Sequence, residues 1–394
     1  MPDREPDAPS RESATLAFLR HALTATRYPA ALAAAQAAAH GVNDGESLRA
    51  LIERERIGPL LHTVLGASQT LSETTRAALR DAYRATAMRN LVLLHELGSS
   101  LQRLAAAGVE AIVLKGAALL LPLYGGLAMR PMADLDILIR REDQPRAQRV
   151  LLQSGFRLAR LETHAGLITA HENELAFTKP GALTVDLDVH WSLFDSPFYQ
   201  RQLAIEWFWQ DARMRQLGGG VTARTLAPEA LLLHLCAHLM LHHKGVGVLW
   251  WNDVAQLVHV EAERIDWNAV IDRSVANQLV LPVRGVLTAL AAEWRVPVPD
   301  TVLQRLAAAT PGAAEADRFR RLSGETSPLQ RFWIDLRDMG DWRARLHYAR
   351  SMVLPSPAFM RDRFAIRSAW LVPFYYPYRW LRALRGNLRR RRHG

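Results

Sequence analysis

The sequence predicts an α+β protein in which a strand-containing core lies between N-terminal helices and a C-terminal all-helical domain. Residues 13–108 and the segment after Trp191 carry apolar residues at helical spacing, whereas residues 109–191 contain runs that alternate as strands do. With 394 residues, 49% of them hydrophobic, the chain can form one or two cores. The predicted segments are a disordered N-terminus at 1–12, a helical layer at 13–108, the core at 109–191, a helical domain at 192–360 and a basic aromatic tail at 361–394.

The N-terminal layer is rich in alanine and leucine. Its longest predicted helix covers residues 74–107 and ends at Gly108, because glycine commonly follows the last turn of a helix. The charged residues 1–7 are followed by no apolar segment that resembles a signal peptide. No uncharged run approaches the roughly eighteen residues that a membrane-spanning helix needs. We therefore expect a soluble, cytoplasmic protein.

The core begins where the pattern changes to strand-like alternation. Glycine or proline separates most of its predicted elements, as expected for turns. The elements, in order, are a strand at 109–114, a helix at 117–124, a turn at Gly125 and Gly126, a strand at 134–140, a helix at 142–154, a strand from Phe156, and a hairpin of 172–178 with 183–191 about Pro180 and Gly181.

The segment after Trp191 is predicted to be helical. Pro228 opens a strong helix that extends to residue 243, and another helix covers 250–263. Helical patterns recur to the end of the chain, with breaks at 297–299, 311–312 and 355–357. Such a domain could form one wall of a cleft and select a substrate.

Three histidines, His234, His238 and His242, recur every four residues and therefore lie on one helix face. A zinc helix is disfavoured, because no glutamate lies between them as in His-Glu-x-x-His and the helix is apolar nearly throughout. Two interpretations remain: His238 and His242 line the cleft and bind nucleotide or acceptor, or they are packing residues.

Asp134 and Asp136 begin an otherwise apolar strand. Because side chains alternate, the two carboxylates lie on one side, about 6.6–7 Å apart along the backbone. Two acids this close repel each other unless a cation lies between them. Magnesium is the expected cation, since it is held by one or two carboxylates together with substrate phosphates. The alternative interpretation is a solvated turn or a pair of helix caps.

A second strand supplies further acids on one face. In residues 184–191, Asp186, Asp188 and His190 alternate with apolar residues. Two metal ions about 3.5–4 Å apart require a third carboxylate, and this strand offers two candidates.

These residues carry a resemblance. The Lys115-Gly116 pair, the block Arg-Pro-Met-Ala-Asp-Leu-Asp that starts at Arg130, and the strand that ends Asp-Val-His-Trp resemble the uncharacterised nucleotidyltransferases of the DNA polymerase beta superfamily. The resemblance covers about residues 94–257. It implies a small mixed sheet as a nucleotidyltransferase core, with helices on one face and the acids at an edge of the open side.

The resemblance also implies metal ligands. Asp134 and Asp136 would hold two Mg²⁺ ions, with Asp188 as the third carboxylate and Asp186 as its alternative. The substrate would be a nucleoside triphosphate such as ATP, and its nucleoside monophosphate would pass to an acceptor hydroxyl of a small molecule, peptide or RNA. Asp188 or His190 would be the base.

Phosphate binding would fall to residues at the first strand and the loop. Gly116 permits close approach of the backbone, while Lys115 and Arg130 would neutralise charge on the phosphate oxygens. The sequence departs from better-known members, which have Gly-Ser where Lys115-Gly116 stands. The chain has three lysines against forty-six arginines, so a lysine at this position suggests that its geometry matters. Alternatively, Arg130 pairs with Asp134 to hold the loop.

Two residues of the helical domain have structural and functional interpretations. Asp253 is expected to pair with a histidine or with Lys244. Trp250 or Trp251 could stack on a base, although tryptophan at helical spacing is more often a core residue.

The net charge of +10 is concentrated at the C-terminus. Residues 361–394 contain ten arginines and one acid, a balance of +9, which leaves about +1 for the rest of the chain. Residues 374–392 interleave aromatic residues with arginines, so they could bind RNA or the surface of an anionic membrane, or form a frayed soluble end. The single cysteine, Cys236, excludes an internal disulfide and lies in an apolar run typical of packing residues.

Three functions therefore compete. The first is an active nucleotidyltransferase. The second is an inactive nucleotide-binding regulator, suggested by Lys115-Gly116 in place of Gly-Ser. The third is an RNA or membrane adaptor that acts through the basic tail.

Overall fold

The computed structural model describes residues 19–20, 22–24, 45–69, 71–159, 173–324 and 327–390. The predicted disordered segment 1–12 lies outside the described residues. The strands are β1 (Ala111–Leu114), β2 (Leu135–Ile139), β3 (Arg157–Leu158), β4 (Glu174–Lys179), β5 (Val185–His190), β6 (Arg213–Gly218) and β7 (Val221–Thr225).

Helices precede, connect and follow these strands. Before and within the core they are α1 (Gly45–Glu55), α2 (Gly58–Leu65), α3 (Glu73–Ala106), α4 (Lys115–Tyr124), α5 (Gln144–Gln153), α6 (Pro197–Gln202) and α7 (Ile205–Gln210). After β7 they are α8 (Pro228–Ala237), α9 (Val248–Glu261), α10 (Trp267–Ala276), α11 (Val280–Trp294), α12 (Asp300–Ala308), α13 (Ala313–Ser323), α14 (Pro328–Asp338), α15 (Trp342–Val353), α16 (Pro357–Arg363) and α17 (Val372–Arg390). A π-helical turn, His238–His242, continues α8, and 3₁₀ turns cover Arg141–Asp143 and Ala369–Leu371.

The described strands form one mixed sheet in the order β3-β4-β5-β2-β1-β7-β6. Strand β2 pairs antiparallel with β1 and parallel with β5, while β4 pairs antiparallel with β5. Strand β2 is therefore the middle strand. The expectation of acids at an edge of the sheet was wrong in this respect, because strands β1, β7 and β6 lie beyond β2.

The two faces of the sheet contribute to different cores. Side chains such as Val113, Ile137 and Leu187 pack with Leu97 of α3 and Leu151 of α5 in one core. Residues of the opposite face join a larger core, which also contains residues of α1, α2 and the helices from α8 to α13. The short N-terminal helices α1 and α2 thus share a core with the C-terminal helices, whereas much of α3 packs on the opposite face of the sheet.

A strand hairpin after Trp191 was not predicted. Strands β6 and β7 come from the segment that the sequence analysis assigned to helices, and β7 pairs parallel with β1. Strand β7 has the alternating burial of a half-buried strand, and the turn at residues 218–220 consists of three glycines with positive φ. Alternation over only five residues is a weak signal for a strand, and longer helical patterns surround it in the sequence.

The basic C-terminal segment is mostly helical as far as Arg390, with a break at residues 364–368. Tyr375 and Tyr376 of α17 pack against a small core of Met360, Ile366 and Val372. Within the described residues, no helix is both long enough and apolar enough to cross a bilayer.

Candidate functional site

Two carboxylates meet at the centre of the sheet. Asp136 on β2 is directly opposite Asp188 on the parallel strand β5, so both side chains lie on the same face. Asp136 is 4% exposed, whereas Asp188 is half-buried. The register between these strands places the two acids side by side although they are 52 residues apart in the chain.

His190 lies between two carboxylates. Its Nε2 atom is 2.9 Å from Asp136 Oδ1, and its Nδ1 atom is 3.0 Å from Glu174 Oε2. Glu174 is the cross-strand partner of His190 on β4. Burial and Lys115 lower the pKa of His190, but the contacts with Asp136 and Glu174 outweigh them and raise it to about 9. At neutral pH His190 is therefore an imidazolium that holds two carboxylates.

Lys115 supplies a second cation. It follows β1 directly, and its Nζ atom is 2.7 Å from Asp136 Oδ1, the oxygen that also faces His190. Burial lowers the pKa of Lys115, but attraction to Asp136 raises it overall. Its φ of 45° lies in the left-handed region, which is uncommon for a residue with a side chain and is typical of functional sites.

Asp136, Asp188 and His190 form a cluster that could hold a metal ion. One ligand atom from each lies within 4.8 Å of the others. Burial, together with the charges of Asp136 and Glu174, raises the pKa of Asp188 to about 7. A divalent cation would relieve this repulsion. Two carboxylates suit Mg²⁺ or Mn²⁺. Because both nitrogens of His190 face carboxylates, His190 fits the role of a residue that positions these carboxylates.

The other two predicted acids are exposed and are not members of the three-residue cluster. Asp134 directly precedes β2 and is exposed, and Asp186 is exposed on β5 opposite Thr178. Their roles as metal ligands stay predictions.

A cavity of about 310 Å³ opens beside the cluster. Lys115, Glu174 and His190 line its inner side. Its outer wall comes from the C-terminal helices α14 and α15 and from the segment after β5, including Asp195, Arg331, Asp335, Tyr348 and Met352. These wall residues were not predicted, because no local sequence pattern indicates which helix will cover a site.

A model of one protein family, described as uncharacterised nucleotidyltransferase, matches residues 42–295, which are 254 of the 394 residues. The chain belongs to this family. The predicted resemblance is thereby confirmed, and the buried Asp-Asp-His cluster fits a nucleotidyltransferase. No curated protein shows a significant match to the chain.

In this nucleotidyltransferase-family protein, Arg130 is bound to protein acceptors. Its Nε and Nη2 atoms donate to the two carboxylate oxygens of Asp253 at 2.9 and 2.7 Å, and Nη1 donates to the Pro131 carbonyl at 3.1 Å. The expected partnership of Asp253 with a histidine or Lys244 was wrong, as was the alternative pairing of Arg130 with Asp134. The phosphate contact that the resemblance implies for Arg130 stays a prediction.

The Arg130–Asp253 pair joins the loop before β2 to helix α9. Both side chains are buried, and Tyr124 donates to Asp253 Oδ1 at 2.6 Å. Burial and the Asp253 charge raise the pKa of Tyr124. Asn90 of α3 binds the Arg130 carbonyl at 2.8 Å. These bonds hold the loop that leads into Asp136.

Gly116 leaves room for this pair. A Cβ atom at position 116 would lie 2.8 Å from Arg130 Nη1 and 3.1 Å from Met132 Cγ. The glycine is therefore explained by the packing of the loop. Its predicted approach to phosphate is not tested.

The three histidines have different environments. His238 and His242 line the 310 Å³ cavity, and their rings stack with centroids 4.8 Å apart. Their binding of nucleotide or acceptor stays a prediction. His234 is fully buried behind them, and neither of its ring nitrogens has a hydrogen-bond partner. Burial and the charge of Lys115 lower the pKa of His234 to about 3, so this ring is neutral.

A second cavity, of about 450 Å³, is lined by Arg54, Arg56 and Trp250. Burial lowers the pKa of Arg56, and the nearby charges of Arg130, Asp134 and Arg89 also act on it. Arg56 thus lies close enough to Asp134 for their charges to interact. The indole of Trp250 stacks on His243 with centroids 3.4 Å apart.

Proposed function

We propose that the protein is a divalent-metal-dependent nucleotidyltransferase that moves a nucleoside monophosphate from a nucleoside triphosphate to a hydroxyl of a small acceptor. The observation that carries this proposal is the pairing of Asp136 with Asp188 in register at the centre of the sheet, beside a cavity, in a chain of this family. Asp136 and Asp188 would hold the metal, with Asp134 at the exposed side. Mg²⁺ is the ion that this carboxylate set and a triphosphate favour.

Bound metal ions would lower the pKa of the acceptor hydroxyl and neutralise the departing pyrophosphate. The protein's own groups would position the reactants. Both nitrogens of His190 face carboxylates, so Asp188 remains as the candidate to accept the hydroxyl proton. Lys115 Nζ, at the start of α4, would contact a phosphate oxygen once the metal neutralises Asp136.

The two cavities suit different reactants. Arg54, Arg56 and Trp250 line the larger cavity together with Glu55, which pairs with Arg54 at 3.1 Å; the guanidinium groups and the indole support binding of phosphates and a base there. The 310 Å³ cavity is lined by both signs of charge: the carboxylates of Glu174, Asp195 and Asp335 and the cationic groups of Lys115, His190 and Arg331. Carboxylates accept hydrogen bonds from hydroxyl or amino groups, so this cavity supports binding of a small polar acceptor.

The first experiment measures nucleotide binding by calorimetry with Mg²⁺ and a non-hydrolysable ATP analogue. We expect Asp136→Asn and Asp188→Asn to lose at least about tenfold in Mg²⁺-dependent affinity, because each removes a metal ligand. Asp186→Asn is the matched control, since it changes the same chemical group on the same strand outside the cluster. Equal losses in all three variants would refute the assignment.

A second candidate function is nucleotide binding without turnover. It is favoured by Lys115 Nζ and His190 Nε2, which both contact Asp136 Oδ1 and so compete with a metal. Pyrophosphate release in the presence of ATP, Mg²⁺ and a panel of polyols and amino sugars separates the two functions. Release that Asp136→Asn abolishes supports the transferase, whereas binding without release under every condition supports the regulator.

A further inference from the structure

Large apolar side chains are exposed mainly in one part of the molecule. Eleven of the eighteen in the described residues lie between Leu329 and Leu381. This segment also holds every exposed large aromatic ring among them: Trp333, Trp342, Trp370, Phe374, Tyr378 and Trp380. Scattered exposed apolar residues are normal, but a concentration of rings marks an interaction surface.

Helix α17 and the turn before it present a stripe. Trp370, Phe374, Tyr378 and Leu381 are 71%, 69%, 51% and 55% exposed, and their spacing of four, four and three residues places them on one helix face. The other side of the helix is anchored, since Tyr376 donates to the Pro355 carbonyl at 2.6 Å. The helix is therefore held with its apolar stripe toward solvent.

Helix α15 presents a second stripe of exposed apolar side chains. Trp342, Leu346 and Val353 are exposed at positions that share one face of α15. At the end of this helix, Trp380 Nε1 donates to the Val353 carbonyl at 2.8 Å. The side of α17 that faces away from its stripe is thus bound to the end of α15, and we call the two stripes together the aromatic face.

Positive charge surrounds the aromatic face. Residues 361–394 carry ten arginines and one acid, while the first 360 residues carry a net charge of about +1. Arg361, Arg363, Arg367 and Arg382 are exposed near the α17 stripe. An amphipathic helix with arginines around exposed aromatic and aliphatic residues is the pattern of an interfacial helix on anionic lipid.

We propose that the aromatic face docks on the surface of a bilayer that contains anionic phospholipid, with its rings at headgroup depth. A second copy of the chain is a poor occupant, because a twofold contact would bring two segments of charge +9 together. RNA is also a poor occupant, because Leu346, Val353 and Leu381 cannot stack on bases, whereas they can enter the acyl boundary.

Docking would hold the catalytic cleft near the membrane. Helices α14 and α15 carry Arg331, Asp335 and Tyr348 on the cavity wall and Trp333 and Trp342 among the exposed rings. The docking itself does not depend on the proposed transferase activity, since no cluster residue belongs to the aromatic face.

The test is co-sedimentation of the full chain with phosphatidylcholine vesicles, with and without phosphatidylglycerol. We expect binding only to the anionic vesicles, weakened by salt. The variant Trp370→Ser/Phe374→Ser/Tyr378→Ser should lose at least about tenfold in affinity, because three rings no longer enter the interface. The matched control Met88→Ser/Leu91→Ser, exposed on α3, should bind like the wild type.

Circular dichroism and thermal melting establish that each variant is folded. Wild-type protein that ignores anionic vesicles overturns the proposal, and so does a folded triple variant that binds them as tightly as the wild type. A concentration-dependent dimer that the triple substitution dissociates, without vesicle binding, assigns the aromatic face to a second copy. Ring-dependent binding to a single-stranded RNA, without vesicle binding, assigns it to RNA.

Discussion

The buried Arg130–Asp253 pair permits a sharp prediction about stability. The bidentate bonds of 2.9 and 2.7 Å join groups that are 123 residues apart, and Arg130 is 6% exposed. Asp253→Ala leaves a guanidinium buried without its counter-charge and removes the acceptor of the Tyr124 hydroxyl. Breaking a buried pair from one side costs about 3–5 kcal/mol of unfolding free energy, and we expect a loss in that range.

The double variant separates the pair from its parts. Arg130→Met with Asp253→Leu replaces the charges by apolar groups, so no buried charge remains. Its loss should fall below the summed losses of the single variants Arg130→Met and Asp253→Leu by about 2 kcal/mol or more, because each single variant leaves one unpaired buried charge. Asp253→Asn keeps part of the hydrogen bonding and should lose less than Asp253→Ala.

The assay is equilibrium unfolding in urea, followed by circular dichroism and tryptophan fluorescence. Glu73→Ala serves as control, because it breaks an exposed pair with Arg76 at 2.7 Å and should leave stability unchanged. Single variants as stable as the wild type, or single losses that simply add in the double variant, would refute the reasoning. Arg130 would then be free for the phosphate contact that the family resemblance implies.

Two predictions concern histidines. His234 has a folded-state pKa of about 3 against an ordinary 6.5, so it binds fewer protons when folded and stability falls as pH drops through this window. Between pH 6.5 and about 5, this residue should lower the unfolding free energy of the wild type by about 2 kcal/mol. His234→Leu should not show this part of the loss when unfolding in urea is measured across the same pH range. Parallel pH profiles of stability for the two proteins would contradict the prediction. Glu174→Gln removes a carboxylate 3.0 Å from His190 Nδ1, so nuclear magnetic resonance titration of metal-free protein should show the His190 pKa below its present value of about 9. Asp186→Asn should leave that pKa unchanged, and an unmoved value in Glu174→Gln would show that Asp136 alone holds the ring.

The local elements of the core were accessible from the sequence. The long helix predicted at 74–107 is α3, and the predicted hairpin about Pro180 and Gly181 is β4 with β5. Both signals are periodic over many residues or are marked by a turn dipeptide. The short strands β6 and β7 lack such length, and their pairing partner β1 is about a hundred residues earlier in the chain.

Part of the candidate site was also accessible. Alternation placed Asp186, Asp188 and His190 on one strand face, and Asp134 with Asp136 on another. Which members meet depends on the register of β2 against β5, and that register selects Asp136 with Asp188. No local pattern encodes it, because the register follows from how both strands bury their other faces against α3 and α5.

The sequence by itself therefore determined the kinds of chemistry available: alternating acids on two strands, a lysine at the end of a third, and a basic aromatic C-terminus. The tertiary structure alone decided which groups are neighbours. It placed Glu174 behind His190, Asp253 against Arg130 and helices α14 and α15 over the cavity. Periodicity reports the face on which a residue lies, whereas contacts across many tens of residues follow from how those faces pack into shared cores.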